Sequence, residues 1–174
     1  MMEAQQVTHP FPPLFDAESR ILILGSFPSI KSREQMFFYG HPQNRFWKVI
    51  AAVYGEEVPT EIPQKKELIL RNHLALWDTV GSCEIVGSSD ASIRNVKAND
   101  LSVILDHSRV ERIFCNGKTS HALYRRYLEP VLLRPAECLP STSPANAQWS
   151  LSALTEAWKT ALTGLDTVSE KISS

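Results

Sequence analysis

Cysteine is scarce in this chain: Cys83, Cys115 and Cys138 are the 3 among 174 residues, and no two form a C-x-x-C pair. Zinc ribbons, four-cysteine iron–sulfur clusters and redox dithiols are thereby excluded. Cys115 and Cys138 sit inside apolar runs and are expected to be buried thiols. Helical H-E-x-x-H and paired-histidine spacings are missing as well, so no metal and no cofactor is expected. No apolar run reaches the roughly 18–20 residues that cross a bilayer. The segment Met1–Thr8 lacks the basic-then-apolar order of a secretory signal, and a cytoplasmic protein with no membrane partner is expected. Charge of one sign is lacking too, with 18 Lys and Arg against 19 Asp and Glu. Attraction to a polyanion must then come from local patches and not from the field of the whole molecule. Nothing demands more than a monomer.

The chain does contain ordinary globular material, 43% hydrophobic and 21% charged, enough for one domain. Residues 1–19 read as a Pro-rich, irregular N-terminal arm that Phe11, Leu14 and Phe15 could pin down. Residues 20–164 read as the domain, and 165–174 as a flexible tail. The apolar runs Arg20–Leu24 and Arg112–Cys115, together with Leu74–Val80 and Ala136–Leu139, predict four strands. Helices are expected over Arg45–Tyr54, Pro63–His73, from Asn99 or Asp100 to Asp106, from Lys118 to about Leu128, and over residues 149–163, with Gly55 and Gly164 as stops. Gly81–Ala98 reads as a long polar loop. Strands alternating with helices of this length predict an α/β fold, a three-layer α/β/α sandwich around a mainly parallel four-stranded sheet. The polar segments that follow the first, second and fourth strands should then converge on one cleft.

Several familiar sites fail on inspection. Gly25-Ser26-Phe27-Pro28-Ser29 lacks the last glycine of a nucleophile elbow. Gly117-Lys118-Thr119 ends like a phosphate loop, but position 112 is Arg where the first glycine belongs, and no G-x-G-x-x-G follows a strand. What remains is an aromatic and amide cluster suited to a flat ligand with hydrogen-bonding edges. Phe37, Phe38 and Tyr39 could stack on a base or pack in the core; His41 could face a ligand or close a rigid turn with Pro42; Asn44 could touch a ligand or cap the next helix. Pro140–Asn146, rich in short hydroxyls between prolines, suits phosphate oxygens or a groove, and equally a plain surface loop.

The string Phe38-Tyr39-Gly40-His41-Pro42-Gln43-Asn44-Arg45-Phe46-Trp47-Lys48-Val49-Ile50 resembles the mismatch-specific uracil-DNA glycosylases. Over about residues 20–160 the chain is similar to the uracil-DNA glycosylase superfamily, nearest its DNA-deoxyinosine (hypoxanthine) branch. Gly25–Ser29 stands as the first motif and Leu139–Ala147 as the second, with support from Leu76–Arg94 and Asn116-Gly117-Lys118. Two departures matter. Phe27 occupies the position of the Asn that positions water in the uracil enzymes, and Ser141-Thr142-Ser143-Pro144 replaces their Asn-Pro-Ser-Gly.

The resemblance implies a monofunctional glycosylase that flips a deaminated base, hypoxanthine before uracil, out of DNA and hydrolyses its N-glycosidic bond. It implies that Asn44 takes the catalytic part. Ser26, Phe27, Tyr39 and His41 would bind the base, and Lys118, Ser141, Ser143, Pro144, Ala145 and Asn146 the DNA. An amide cannot deprotonate water at neutral pH, so such chemistry leans on stabilising the leaving group. Lys31, Lys48 and Lys118 lack the desolvated setting of a nucleophilic lysine. Three rival readings stay open: an inactive binding module of the same fold, a mismatch-specific uracil or thymine enzyme, and a hydrolase of free nucleosides.

Overall fold

The computed structural model describes residues 3–164, so the expected tail over 165–174 lies outside the described residues. Four parallel strands form the central sheet: β2 (Ile21–Gly25), β3 (Leu74–Asp78), β6 (Arg112–Asn116) and β7 (Glu137–Leu139), in the order β3-β2-β6-β7. Leu22–Leu24 and Leu74–Leu76 are fully buried, as continuous apolar runs in a covered parallel sheet should be. Chain order reverses where β2 meets β6. The carboxyl ends of these two strands therefore open a crevice of the kind in which α/β proteins bind ligands.

Helices cover the sheet: α1 (Ile30–Gln35), α2 (Phe46–Tyr54), α3 (Ile62–Arg71), α4 (Ser102–Leu105), α5 (Lys118–Tyr127), α6 (Glu129–Leu132) and α7 (Leu151–Thr163). Helix α2 buries Phe46, Val49, Ile50 and Val53, the spacing of one helical face, and ends where Gly55 turns left-handed at φ 66°. It packs on α7, whose Leu154 and Trp158 are fully buried. Pro130 follows the end of α5 by three residues. It sits in the first turn of α6, where a missing N–H costs nothing.

Two expectations fail together. Residues 81–98 are not a loop, and the N-terminal arm is not irregular. β4 (Val80–Ile85) and β5 (Arg94–Ala98) form an antiparallel hairpin, and β1 (Gln5–Thr8) adds to it, giving a second sheet in the order β1-β4-β5. The pairing of β4 with β5 slips register on both sides of Ser82, which breaks the period-2 signal that would have marked a strand. Phe27, Val80, Cys83, Ile85 and Ile93 make a small separate core beneath this sheet. Past β1, Phe11 and Leu14 enter the main core, and Leu14 exchanges backbone hydrogen bonds with Leu76. Cys83 and Cys115 are buried free thiols, with Cys115 pushed up to about 12 by burial; Cys138 is exposed, because only Leu139 of its strand faces the interior. Among the described residues no helix is long and apolar enough to cross a membrane.

Candidate active site

A cleft of about 980 Å³ lies over the carboxyl ends of the central strands. That volume is large enough for a whole extruded nucleotide. The polar segments expected to converge do so. Gly25–Ser29, Tyr39 to Asn44, the tip of the β4–β5 hairpin at Ser88–Ala91, Asn116–Thr119 and Cys138–Trp149 all contribute to its wall. Each residue singled out from the sequence lines it: Ser26, Phe27, Tyr39, His41, Asn44, Lys118, Ser141, Ser143, Pro144, Ala145 and Asn146.

Asn44 is held by a directional chain of hydrogen bonds. The Asn116 side-chain amide donates to Thr142 Oγ1 at 3.0 Å, and the Thr142 hydroxyl donates onward to Asn44 Oδ1 at 2.9 Å. Asn116 Oδ1 accepts in return from the Thr142 backbone N–H. Asn44 Oδ1 also accepts from the Phe46 N–H, the first of α2, at 2.9 Å, although the cap position itself belongs to Arg45. A backbone N–H can only donate, and this sets the amide orientation without ambiguity. Oδ1 is saturated, while the Nδ2 protons have no partner among the described residues and are offered to the cleft.

Tyr39 adopts a left-handed backbone at φ 52°, uncommon for a bulky residue and characteristic of functional sites. One face of its ring stacks on Phe46, with centroids 3.9 Å apart and planes 22° off parallel. That face is not available to a base. Its hydroxyl is buried without a hydrogen-bond partner among the described residues. Burial holds the phenol well above its ordinary range, and the Asp78 carboxylate pushes the same way against a weaker pull from Asn116. Phe37 and Phe38 are core residues, although Phe38 also reaches the cleft wall. His41 closes the turn, its Nδ1 accepting from the Gln43 N–H at 3.1 Å.

The Ser-Pro loop is tied down from an unexpected side. Arg45, on the helix side of Asn44, donates through its guanidinium to the carbonyls of Trp149, Asn146 (3.0 Å) and Ser143 (3.4 Å). Its backbone N–H donates to Thr142 O. Within the loop, Ser141 Oγ accepts from the Ser143 N–H and Ser143 Oγ from the Ala145 N–H. Both hydroxyl protons are then free to donate outward, while Pro144 and Ala145 stand exposed at the tip. Lys118 is exposed at the start of α5, whose Gly117 cap supplies no side-chain hydrogen bond to the first turn.

Sequence reasoning missed several members of this site. Thr142 was passed over between two serines, and Asn116 and Arg45 drew no role. His9, on the strand side of the arm, bonds Asp78 at the end of β3, with Nε2 to Oδ2 at 2.7 Å. Asp90, on the hairpin tip, accepts from the Ser26 hydroxyl at 2.8 Å. Although Asp90 is exposed as a residue, its carboxyl is crowded by the cleft wall. Burial raises it, the Ser26 hydrogen bond lowers it, and the nearby Asp78 charge raises it further, for a net upward shift. Asp78 carried one legible signal, a charge closing an apolar strand; His9 carried none.

These features coincide with those of known proteins. The chain matches the model of the Uracil DNA glycosylase superfamily over residues 12–162. It is 32% identical over 153 residues to a hypoxanthine DNA glycosylase of Methanosarcina barkeri, covering 85% of this chain and 93% of that one. It is 33% identical over 145 residues to a hypoxanthine DNA glycosylase of Methanosarcina acetivorans, covering 80% and 89%. The solution NMR structure of a protein from Methanosarcina acetivorans, described provisionally as a uracil DNA glycosylase, superimposes with a TM-score of 0.77 at 28% identity, over 92% of this chain and 98% of that one. The chain belongs to the uracil-DNA glycosylase superfamily.

Proposed function

We propose that this protein is a monofunctional DNA glycosylase that removes deaminated bases, hypoxanthine foremost, from DNA. The names of its archaeal relatives support the reaction and the base. The observation that carries the reading within this chain is the locked amide of Asn44, a pure hydrogen-bond donor aimed into the cleft. As the C1′–N9 bond breaks, its electron pair moves onto the base and positive charge grows on the sugar. A fixed N–H donor is then worth more to the departing base than to the bound one, and it needs no reorganisation as the reaction proceeds. Water supplies the hydroxyl to C1′ and the proton that finally neutralises the base. Such catalysis suits hypoxanthine and uracil, which tolerate negative charge as leaving groups.

In this reading the base enters beside Phe27, Tyr39 and His41, over the Ser26 turn. The outward hydroxyls of Ser141 and Ser143 bond phosphates, with Lys118 and the open first turn of α5 adding positive potential. Pro144, Ala145 and Asn146 fill the gap that the flipped nucleotide leaves. The loop can act as a wedge because Arg45 braces it from behind. A monomer working in the cytoplasm is part of the same proposal.

The test is a panel of duplexes carrying inosine, uracil or a G·T pair, treated with alkali after incubation to reveal abasic sites. Inosine strands should be cut fastest. No abasic site with any lesion would favour an inactive binding module, and hypoxanthine release from free deoxyinosine would favour a nucleoside hydrolase.

A further inference from the structure

His9 and Asp78 form a buried pair, Asp78 on the cleft wall and His9 behind it, that the mechanism above does not use. Their side chains are only 3% and 6% exposed. His9 comes from the strand-side end of the arm, before the 12–162 stretch that matches the family, and reaches across 69 positions of sequence to Asp78. Its ring sits among Phe11, Phe27 and Trp77 in edge-on contacts, and Nδ1 has no hydrogen-bond partner among the described residues. Its Nε2 faces Asp78 Oδ2, and because a carboxylate only accepts, the imidazole is the donor of this bond. Asp78 Oδ1 has no partner among the described residues and lies over Gly25, where a Cβ would come within 2.3 Å of it. The Tyr39 hydroxyl, buried from solvent, backs the same point, 3.4 Å from that Cβ position.

We infer that His9 is a positioning residue for base selection, holding Asp78 as a fixed acceptor that reads a ring N–H on the extruded base. Deamination creates this edge. Adenine offers a bare ring nitrogen at N1, whereas hypoxanthine offers N1–H next to a C6 carbonyl; cytosine and uracil differ in the same way at N3 and C4. A carboxylate oxygen cannot donate to the bare nitrogen of the undamaged base, and two lone pairs are brought face to face. Sites built to bond an N–H reject analogues that lack it far more strongly than apolar pockets reject a missing methyl. Guanine also carries an N1–H, so this pair does not exclude it.

The inference rests on the glycosylase reading, and its test separates the two. Single-turnover excision is measured on matched duplexes carrying deoxyinosine or deoxynebularine, the purine without the N1–H and the C6 carbonyl. The wild-type preference for inosine should fall by about tenfold or more in His9→Phe, which keeps the aromatic packing but loses the donor. His9→Gln, whose amide can place a donor near the same point, should keep the preference within about threefold. Asp78→Asn should lose it, and adding His9→Phe to Asp78→Asn should lower it no further. Thermal melts establish folding, and if His9→Phe does not fold, Asp78→Asn and His9→Gln decide the matter between them. Equal slowing of both substrates, with the preference intact in His9→Phe or Asp78→Asn, overturns the inference and leaves the glycosylase standing. Wild-type release of neither base overturns both.

Discussion

The Thr142 hydroxyl donates to Asn44 Oδ1 across 2.9 Å, joining two loops 98 positions apart in the sequence. This bond, with the Asn116 amide behind it, decides which end of the Asn44 side chain faces the cleft. Thr142→Val keeps the shape and removes the proton. It leaves Asn44 Oδ1 with the Phe46 N–H alone and the Asn116 amide without its acceptor. Stability should drop by about 1–3 kcal/mol, and inosine excision should fall about tenfold as the amide loses its orientation. Thr142→Ser should restore most of both, as read by thermal melts and single-turnover rates.

In the proposed mechanism Arg45 acts on the wedge and not on the base. Its planar guanidinium reaches the carbonyls of Ser143, Asn146 and Trp149 at once, which a lysine ammonium cannot match. Arg45→Lys should raise KM for duplex DNA about tenfold while changing kcat by less than about threefold. Steady-state kinetics on inosine duplexes makes the separation.

Gly25 is needed for space. A methyl there would lie 2.3 Å from Asp78 Oδ1, and Asp78 is held from the other side by His9. Gly25→Ala should cost about 1–3 kcal/mol of stability and displace the carboxylate from its station. Excision of inosine should fall about tenfold or more while DNA affinity stays near wild type, because the loops proposed to contact phosphate are untouched.

Asp90 offers a pH test. Its carboxyl is raised above the ordinary value, first by burial and further by Asp78, against the Ser26 hydrogen bond. The folded protein therefore holds this proton more tightly than the unfolded chain does. Any stability gained this way is complete below the ordinary carboxylate pKa and is lost as pH climbs through the raised folded value. Asp90→Asn should match wild type in melts at low pH and exceed it at neutral pH. Removing a negative charge from the cleft should also tighten duplex binding at low salt. Unchanged melts at both pH values would mean that Asp90 is solvated like any surface carboxylate.

Three strands of the central sheet were legible because Ile21–Leu24, Leu74–Trp77 and Ile113–Cys115 are continuous apolar runs, and the helices because Phe46, Val49, Ile50 and Val53 repeat at helical spacing. The second sheet was hidden by the slips around Ser82, and its third strand, Gln5–Thr8, is polar enough to pass for an arm. The cleft's principal loops could be named because turn residues follow apolar strands. Their internal wiring could not. The Thr142 bond to Asn44, the Arg45 brace and the His9–Asp78 pair all join residues 69 or more positions apart, and spacing in sequence does not report such meetings. Cys138 misled for a related reason: a segment as short as Ala136–Leu139 does not reveal which side of an edge strand faces water.

The account is tested most directly by chromatographic detection of the free base released from an inosine-containing duplex by the wild-type protein, Asn44→Ala and Asn44→Asp. Wild type should release hypoxanthine and leave an abasic strand. Asn44→Ala should be slower by about tenfold or more with its fold intact. Asn44→Asp still accepts from Thr142 and Phe46 but offers no proton to the cleft, and it should be at least as impaired. Hypoxanthine released equally fast by all three proteins, or by none of them, would contradict the account.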